Sequence, residues 1–364
     1  MRIVVDINHP AHVHCFRYFI REMEKNGHEV LITATEKDIS IKLLDSLGYE
    51  YVNLGSYGAT LFQKLVNLPI IDYRMYRAVK KFDPDIFIGL GSIRAAHVAF
   101  AMRRKSIVID DTEISREQMM LFMPFVDAVC TPSYFKLDLG DKQIRFNAYK
   151  ELAYLHPAYF HPDPGVLDKL GLKKDERFIV VRFIAWGASH DVGQHGIVDR
   201  LAFVRELERY GRVLVSSEGE LGPEFDKYRF ELPLEKFHDL LYYATLYIGE
   251  GGTTATEAAL LGTHSVLVDT SAKQCGNFYD LRSYDLLWFT GDTGEGLGIA
   301  KGLLGDPDTK AKGKKKLQKL LDEKIDLNKF IIWFVENYPT SFSRMRRDPG
   351  LQYQFRSAGA GDLP

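Results

Sequence analysis

Short apolar runs, each the length of one buried strand, recur along this chain with helical spacing between them. In the first half they are "IVVDI", "EVLITAT", "YVNL", "DIFIGL", "SIVID" and "DAVC". Between the first two, Val13, Phe16, Ile20 and Met23 are spaced three, four and three, which places one apolar stripe on a helix that ends at Gly27. Strands that alternate with helices in this way can bury both faces only as a parallel sheet covered by helices on each side. The alternation breaks at "LHPAYFHPDPG", where three prolines and a glycine can continue neither element. It then resumes with "RFIVVRFIAW", "GRVLVSS", "LYIG", "HSVLVD" and "LLWFT".

Two consecutive α/β units joined by a proline-rich connector predict two Rossmann-like domains facing across a cleft, with no sequence repeat between them. The expected boundaries are 1–157, 158–340, and a tail 341–364 that is partly disordered, with poor order from about Arg347 onward. A length of 364 residues is enough for two real cores. Lys plus Arg number 47 against 49 Asp plus Glu, so no global basic excess points to nucleic acid. Cys15, Cys130 and Cys275 form neither a metal spacing nor a disulfide framework. The opening "MRIVVDI" reads as a strand rather than a signal segment, and no apolar run approaches the ~20 residues of a membrane span. The expected location is cytoplasmic.

The stretch most able to carry chemistry is "LYIGEGGTTATEAALLGTHSVLV". Three glycines in four residues after a strand, Gly249, Gly251 and Gly252, imply close backbone approach or repeated positive φ. Thr253 and Thr254 offer capping hydroxyls to the helix that follows. Free N–H groups and the positive helix end would face an anion there. Glu257 lies one turn on, placed to accept hydrogen bonds from a vicinal diol such as that of ribose. Glycines for a diphosphate and an acid for a ribose make one site for a nucleoside diphosphate. The plainer reading is a tight turn with a glutamate favoured by the helix dipole.

This stretch, continued to "QCGN", resembles the donor-nucleotide motif of GT-B glycosyltransferases, such as the N-acetylglucosaminyltransferase of peptidoglycan synthesis. The resemblance implies that Gly251, Gly252 and Thr253 meet the diphosphate and Glu257 the ribose. It also implies that Gln274 and Asn277 lie near the donor sugar. "HVHCFRYFIREMEKNGHEVLIT" resembles the first βα unit of these enzymes, with His12 on the histidine many inverting members use as a base or contact. "GLGSIRAAHVAFA" resembles the second glycine loop, near the acceptor, which implies an acceptor side at Gly91 and Ser92; His14, beside His12, is expected on the same side. Ala11 stands where the family has glycine, and His264 where it usually has proline. The whole chain also resembles an uncharacterised, largely prokaryotic group, domain of unknown function 354, which is placed with the GT-B fold.

Other residues admit chemistry on their own account. His9, His12 and His14 cluster at a strand's carboxyl end, where open α/β sheets bind ligands and a histidine can take a proton near neutral pH. Their short spacing without a nearby carboxylate argues against metal, and none is expected. Asp110, Asp111 and Glu113 end another strand; Asp110 reads as structural and Glu113 as a candidate catalytic or acceptor residue. Arg182 inside a strand needs a partner, either phosphate or a buried acid. Trp186, Ser189, His190 and Asp191 follow it. The basic run 306–324 reads as a solvated helix. Residues 57–82 join an apolar stretch to a basic end, a candidate for peripheral contact with the inner face of the membrane.

The function expected is therefore glycosyl transfer from a nucleoside-diphosphate sugar to an acceptor hydroxyl, glycan or lipid-linked, in cell-envelope or glycan biosynthesis. His12 or Glu113 would be the base and Arg182 would help the leaving group. No cofactor is expected beyond the donor itself. The alternatives are a nucleotide-sugar 2-epimerase-like enzyme, kept open by the acids although "RFIAWG" stands where those enzymes carry an "HRREN"-like stretch, and a non-catalytic nucleotide-sugar or glycan-binding protein. The base, sugar and acceptor, the stereochemical outcome and the oligomeric state are not readable from the sequence.

Overall fold

A computed structural model describes residues 1–36, 39–58, 60–185 and 195–356. The chain divides into two compact units, of which the first comprises 1–154 with 325–356 and the second 155–324. Trp186, Ser189, His190 and Asp191 lie outside the described residues.

The first unit contains strands β1 (Arg2–Ile7), β2 (Glu29–Ala34), β3 (Val52–Asn53), β4 (Ile86–Leu90), β5 (Lys105–Ile109), β6 (Ala128–Pro132) and β7 (Gln143–Phe146). They form one sheet in the order β3-β2-β1-β4-β5-β6-β7, every pair parallel. The helices are α1 (Pro10–Lys25), α2 (Ser40–Ser46), α3 (Leu61–Lys80), α4 (Ile93–Met102), α5 (Arg116–Phe122) and α6 (Leu152–Leu155). Val13, Phe16, Ile20 and Met23 are buried on α1, and Gly27 beyond its end takes φ +82°. Strand β7 was not legible, because "QIRF" mixes polar and apolar residues on an edge strand.

Beneath the ends of β1 and β4 sits a charge pair that the hydrophobic pattern could not announce. Asp6 and Arg94 are almost wholly buried and meet at 2.7 Å. Arg94 also donates to Thr35, Tyr57 and the Ile7 carbonyl, while Asp6 accepts from Thr33 and from Ser92. A buried ion pair persists only when its remaining donors and acceptors are satisfied in this way.

The second unit holds β8 (Phe178–Phe183), β9 (Arg212–Ser217), β10 (Leu246–Gly249), β11 (Ser265–Val268) and β12 (Leu287–Thr290), all parallel, in the order β12-β11-β10-β8-β9. Its helices are α7 (Gly165–Lys169), α8 (Arg200–Leu207), α9 (Phe237–Tyr243), α10 (Gly252–Leu260), α11 (Gly276–Ser283), α12 (Thr293–Gly305) and α13 (Thr309–Glu323). The basic run is not simply solvated. Lys310 and Lys314 of α13 turn inward to the carbonyls of Tyr243 and Leu261 at the ends of α9 and α10, where the helix dipoles favour a cation.

Helices α14 (Leu327–Glu336) and α15 (Thr340–Arg347) return the chain to the first unit, so residues 325–340 depart from the expected boundary. Residues 348–356, after Arg347, are also built in rather than loose. Gln352 is buried and its Oε1 accepts from the Asn147 amide at 2.6 Å, while Phe355 packs on Phe330 and Trp333. Two parallel α/β sheets of seven and five strands make this the two-Rossmann-domain, GT-B-like fold.

Candidate functional site

In the second unit the end of β10 delivers the chain to Gly251, which is the N-cap of α10 with φ −86° and ψ 109° and no side-chain cap. The expected capping by Thr253 and Thr254 does not occur, because both residues lie inside the helix; Thr253 is exposed and Thr254 buried. Gly249 and Gly252 are likewise free of positive φ, so the glycines serve close approach instead. A Cβ on Gly249 would stand 2.5 Å from the Arg182 carbonyl, and one on Gly252 2.8 Å from Cζ of Phe278. Helix α11, which carries Phe278, also begins without a side-chain cap. Two helix N-termini thus adjoin at the carboxyl edge of a parallel sheet, where anions and nucleotides bind in such folds.

Four of the expected site side chains lie along this edge. Arg182 Nε lies 3.7 Å from where a Cβ on Gly251 would stand. Its guanidinium donates to Ser216 at 2.9 Å and at 2.7 Å to Glu218, an acid that is exposed rather than the buried partner the sequence offered as an alternative to phosphate. Glu257 is buried one turn into α10, and its Oε1 meets Nε2 of His238 on α9 at 3.0 Å. Asn277 donates from Nδ2 to the Thr256 hydroxyl at 3.2 Å, while its Oδ1 is buried without a partner among the described residues. Gln274 is exposed on the turn before α11.

Sequence reasoning missed Glu250 and His238. The Glu250 carboxylate is buried and accepts from the amides of Ile184 and Ile197 at 2.9 and 2.8 Å and from Arg200 at 3.0 Å. It thereby pins the end of β8 and the approach to α8 against the glycine loop. Its charge is compensated there by Arg200 and the two amides. Partners 53 and 66 positions away leave no local signal.

In the first unit β1, β4 and β5 are parallel neighbours, so the segments after them share one edge. His9 caps α1, its Nδ1 accepting from the Ala11 amide at 3.2 Å. His12 stands in the first turn of α1, partly exposed, with its ring 5.8 Å from that of His9. His14 packs instead against Tyr154 at 5.3 Å. Gly91 takes φ +50°, and Ser92 is fully buried, capping α4 and donating to Asp6. The Ser92 hydroxyl is therefore spent within the unit rather than turned to an acceptor. Glu113 is also buried, accepting from the Lys136 amide at 3.3 Å.

Asp110 and Asp111, by contrast, join a buried charged group. Lys150 bonds Asp111 and lies 3.2 Å from Glu151. Burial pushes the Asp110 carboxyl up to about 7, in the range useful for proton transfer. Asp111, Glu151 and Lys150 border Cys15 on α1, whose thiol burial holds firmly protonated. No group of His, Cys, Asp and Glu suited to a metal occurs among the described residues.

Known proteins agree with this fold. A family model described as protein of unknown function (DUF354) matches residues 1–329, and the chain belongs to that family. Among solved structures, the S. aureus MnaA–UDP complex superposes with a TM-score of 0.67 at 10% identity, over 94% of this chain and 98% of that one. UDP-GlcNAc 2-epimerase from Neisseria meningitidis bound to UDP-GlcNAc gives 0.63 at 13%, over 94% and 100%. MurG of Acinetobacter baumannii gives 0.58 at 13%, over 92% and 99%. At these identities the likeness is one of fold.

Proposed function

We propose that this chain is a nucleotide-sugar enzyme that transfers a sugar to an acceptor hydroxyl. The observation carrying the reading is the uncapped start of α10 with Arg182 beside Gly251 and a buried, histidine-paired Glu257 one turn on. Solved structures of the same fold that hold UDP or UDP-GlcNAc support the ligand class.

In this reading the amides at the start of α10 receive the diphosphate, Arg182 exchanges part of its bond to Glu218 for a phosphate oxygen, and Glu257 accepts the ribose diol. Gln274 and Asn277 lie toward the sugar. As the acceptor oxygen attacks the anomeric carbon, the bond to the diphosphate breaks and its electron pair leaves with the phosphate oxygen. Helix N–H groups and Arg182 stabilise that charge. The acceptor belongs to the first unit, beside Gly91 and His12, and His12 is better placed than Glu113 to take its proton because Glu113 is buried and already accepting an amide.

The acceptor class is glycan or lipid-linked. Helix α3 supports a peripheral membrane contact, with Val66, Ile70 and Tyr73 exposed on one stripe and Arg74, Arg77 and Lys80 exposed beyond them. No described helix is long and apolar enough to cross a membrane.

The buried acids Asp110, Asp111 and Glu151 favour a second reading, a 2-epimerase-like reaction that needs donor alone. NMR spectra of nucleoside-diphosphate sugars incubated with the protein separate the two. Transfer, or slow transfer to water, releases free diphosphate, whereas epimerisation yields a second intact donor. Donors left unchanged with every acceptor tried would refute both and leave a binding protein.

A further inference from the structure

A cavity of about 420 Å³ lies at the amino edge of the second sheet, between the segments that lead into β8 and β10 and the start of α13. All five strands are parallel, so this edge is the one opposite the glycine loop. Its partly buried cations are Arg177 and Lys310. Each is tethered by one bond to the end of a helix, Arg177 to the Leu304 carbonyl at 2.5 Å and Lys310 to the Tyr243 carbonyl at 2.8 Å. Both keep further N–H donors, and neither makes an ion pair among the described residues. Of the acids on the wall, Asp175 is exposed, and Glu176 is held to its own turn by the Lys173 amide at 3.1 Å. Burial lowers the Lys310 amine and the Asp175 charge offsets this only in part, so this cation gains from a counter-charge.

Two hydroxyls point to the same need. Thr245 and Thr309 line the cavity, each is 2% exposed, and neither Oγ1 has a hydrogen-bond partner among the described residues. A buried hydroxyl left in this state is costly until an acceptor reaches it. Thr309 also opens α13, a helix of 15 residues whose N-cap Asp308 makes no side-chain bond to the first turn. The first amides of that helix and its positive end favour an anion. We infer that this cavity binds a small tetrahedral oxyanion, phosphate or the phosphate group of a metabolite, at a site separate from the nucleotide edge. Donors reach it from three directions: Arg177 before β8, Thr245 before β10, and Thr309 with Lys310 on α13. That spread suits the oxygens of a tetrahedral phosphate better than the two of a planar carboxylate. Reacting ligands of parallel α/β sheets sit at the carboxyl edge, so an anion here is not the substrate. The inference does not rest on the transferase reading.

Amide NMR of the full chain, titrated with inorganic phosphate at constant ionic strength, tests it. The Lys310 and Ala311 amides should shift to saturation. Arg177→Gln and Lys310→Met should each weaken that response tenfold or more, while Glu257→Ala leaves it unchanged. Thr309→Val keeps the shape and removes the unpartnered hydroxyl, so the phosphate-free melting temperature should hold or rise while phosphate affinity falls. Phenyl phosphate binding tenfold tighter than inorganic phosphate would assign the site to a metabolite's phosphate group, and equal affinity would assign it to the free ion. Shifts that never saturate, that chloride reproduces, that survive both charge variants or that stay confined to α10 overturn the inference. Acetate binding as tightly as phosphate overturns it as well.

Discussion

His264 makes the second unit sensitive to acid. Its ring is 3% exposed and lies flat on Trp288, with centroids 5.3 Å apart and planes 16° from parallel. Helix α13 closes the other side, for a Cβ on Gly313 would stand 2.9 Å from its Cδ2. Neither ring nitrogen has a hydrogen-bond partner among the described residues. Burial first, and then the Lys316 charge, outweigh the opposing Asp285 and Asp306 and depress the imidazole from 6.5 to about 4. Protons therefore bind the unfolded chain before the folded one. The stability this group contributes is complete above pH 6.5 and is lost as pH falls from there toward 4. The linkage relation puts the loss at about 2 kcal/mol by pH 5 and about 3 kcal/mol by pH 4. His264→Phe keeps an aromatic ring on Trp288 but cannot titrate. Hydrogen exchange of the β11 and β12 amides reports this unit separately from the other. Between pH 7.5 and 5 the wild type should lose about 2 kcal/mol more protection than the variant. Equal losses in the two proteins would refute the reasoning and mean that the ring is hydrated or paired in solution.

Two further outcomes are expected. Gly252→Ala forces the buried Phe278 ring aside, so it should cost about 1–3 kcal/mol of stability and weaken nucleotide binding at the adjoining helix ends; calorimetry and thermal melts check both, and an unaltered affinity would mean that the ligand does not approach this backbone. The protein should sediment with vesicles containing anionic lipid, less so at high salt, and Ile70→Glu with Tyr73→Glu should abolish it; sedimentation unaffected by the pair would clear α3 of that role.

The fold was legible wherever a strand is buried on both faces, since such strands read as unbroken apolar runs. Strand β7 escaped because Gln143 and Arg145 hydrogen-bond into loops from an edge position. At the glycine loop the type of structure was clear, but its mechanics were not. Thr253 and Thr254 look like caps in sequence, yet the helix starts one residue earlier, on glycine. Ser92 matches a loop motif but turns inward to Asp6, a residue 86 positions distant. The same distance effect hides Glu250, His238 and Lys150, each meaningful only through a partner brought to it by the sheet. His264 stands where the GT-B motif has proline, and only the packing of Trp288 explains why a histidine belongs there.

The central claim is a nucleoside-diphosphate site at the start of α10. Calorimetric titration with a panel of nucleoside diphosphates and their sugar conjugates, on the wild type and Glu257→Ala, tests it most directly. The account predicts that one diphosphate binds and that the variant weakens it tenfold or more, about 1.4 kcal/mol. No binding by any member of the panel, or equal binding by the variant, would contradict it.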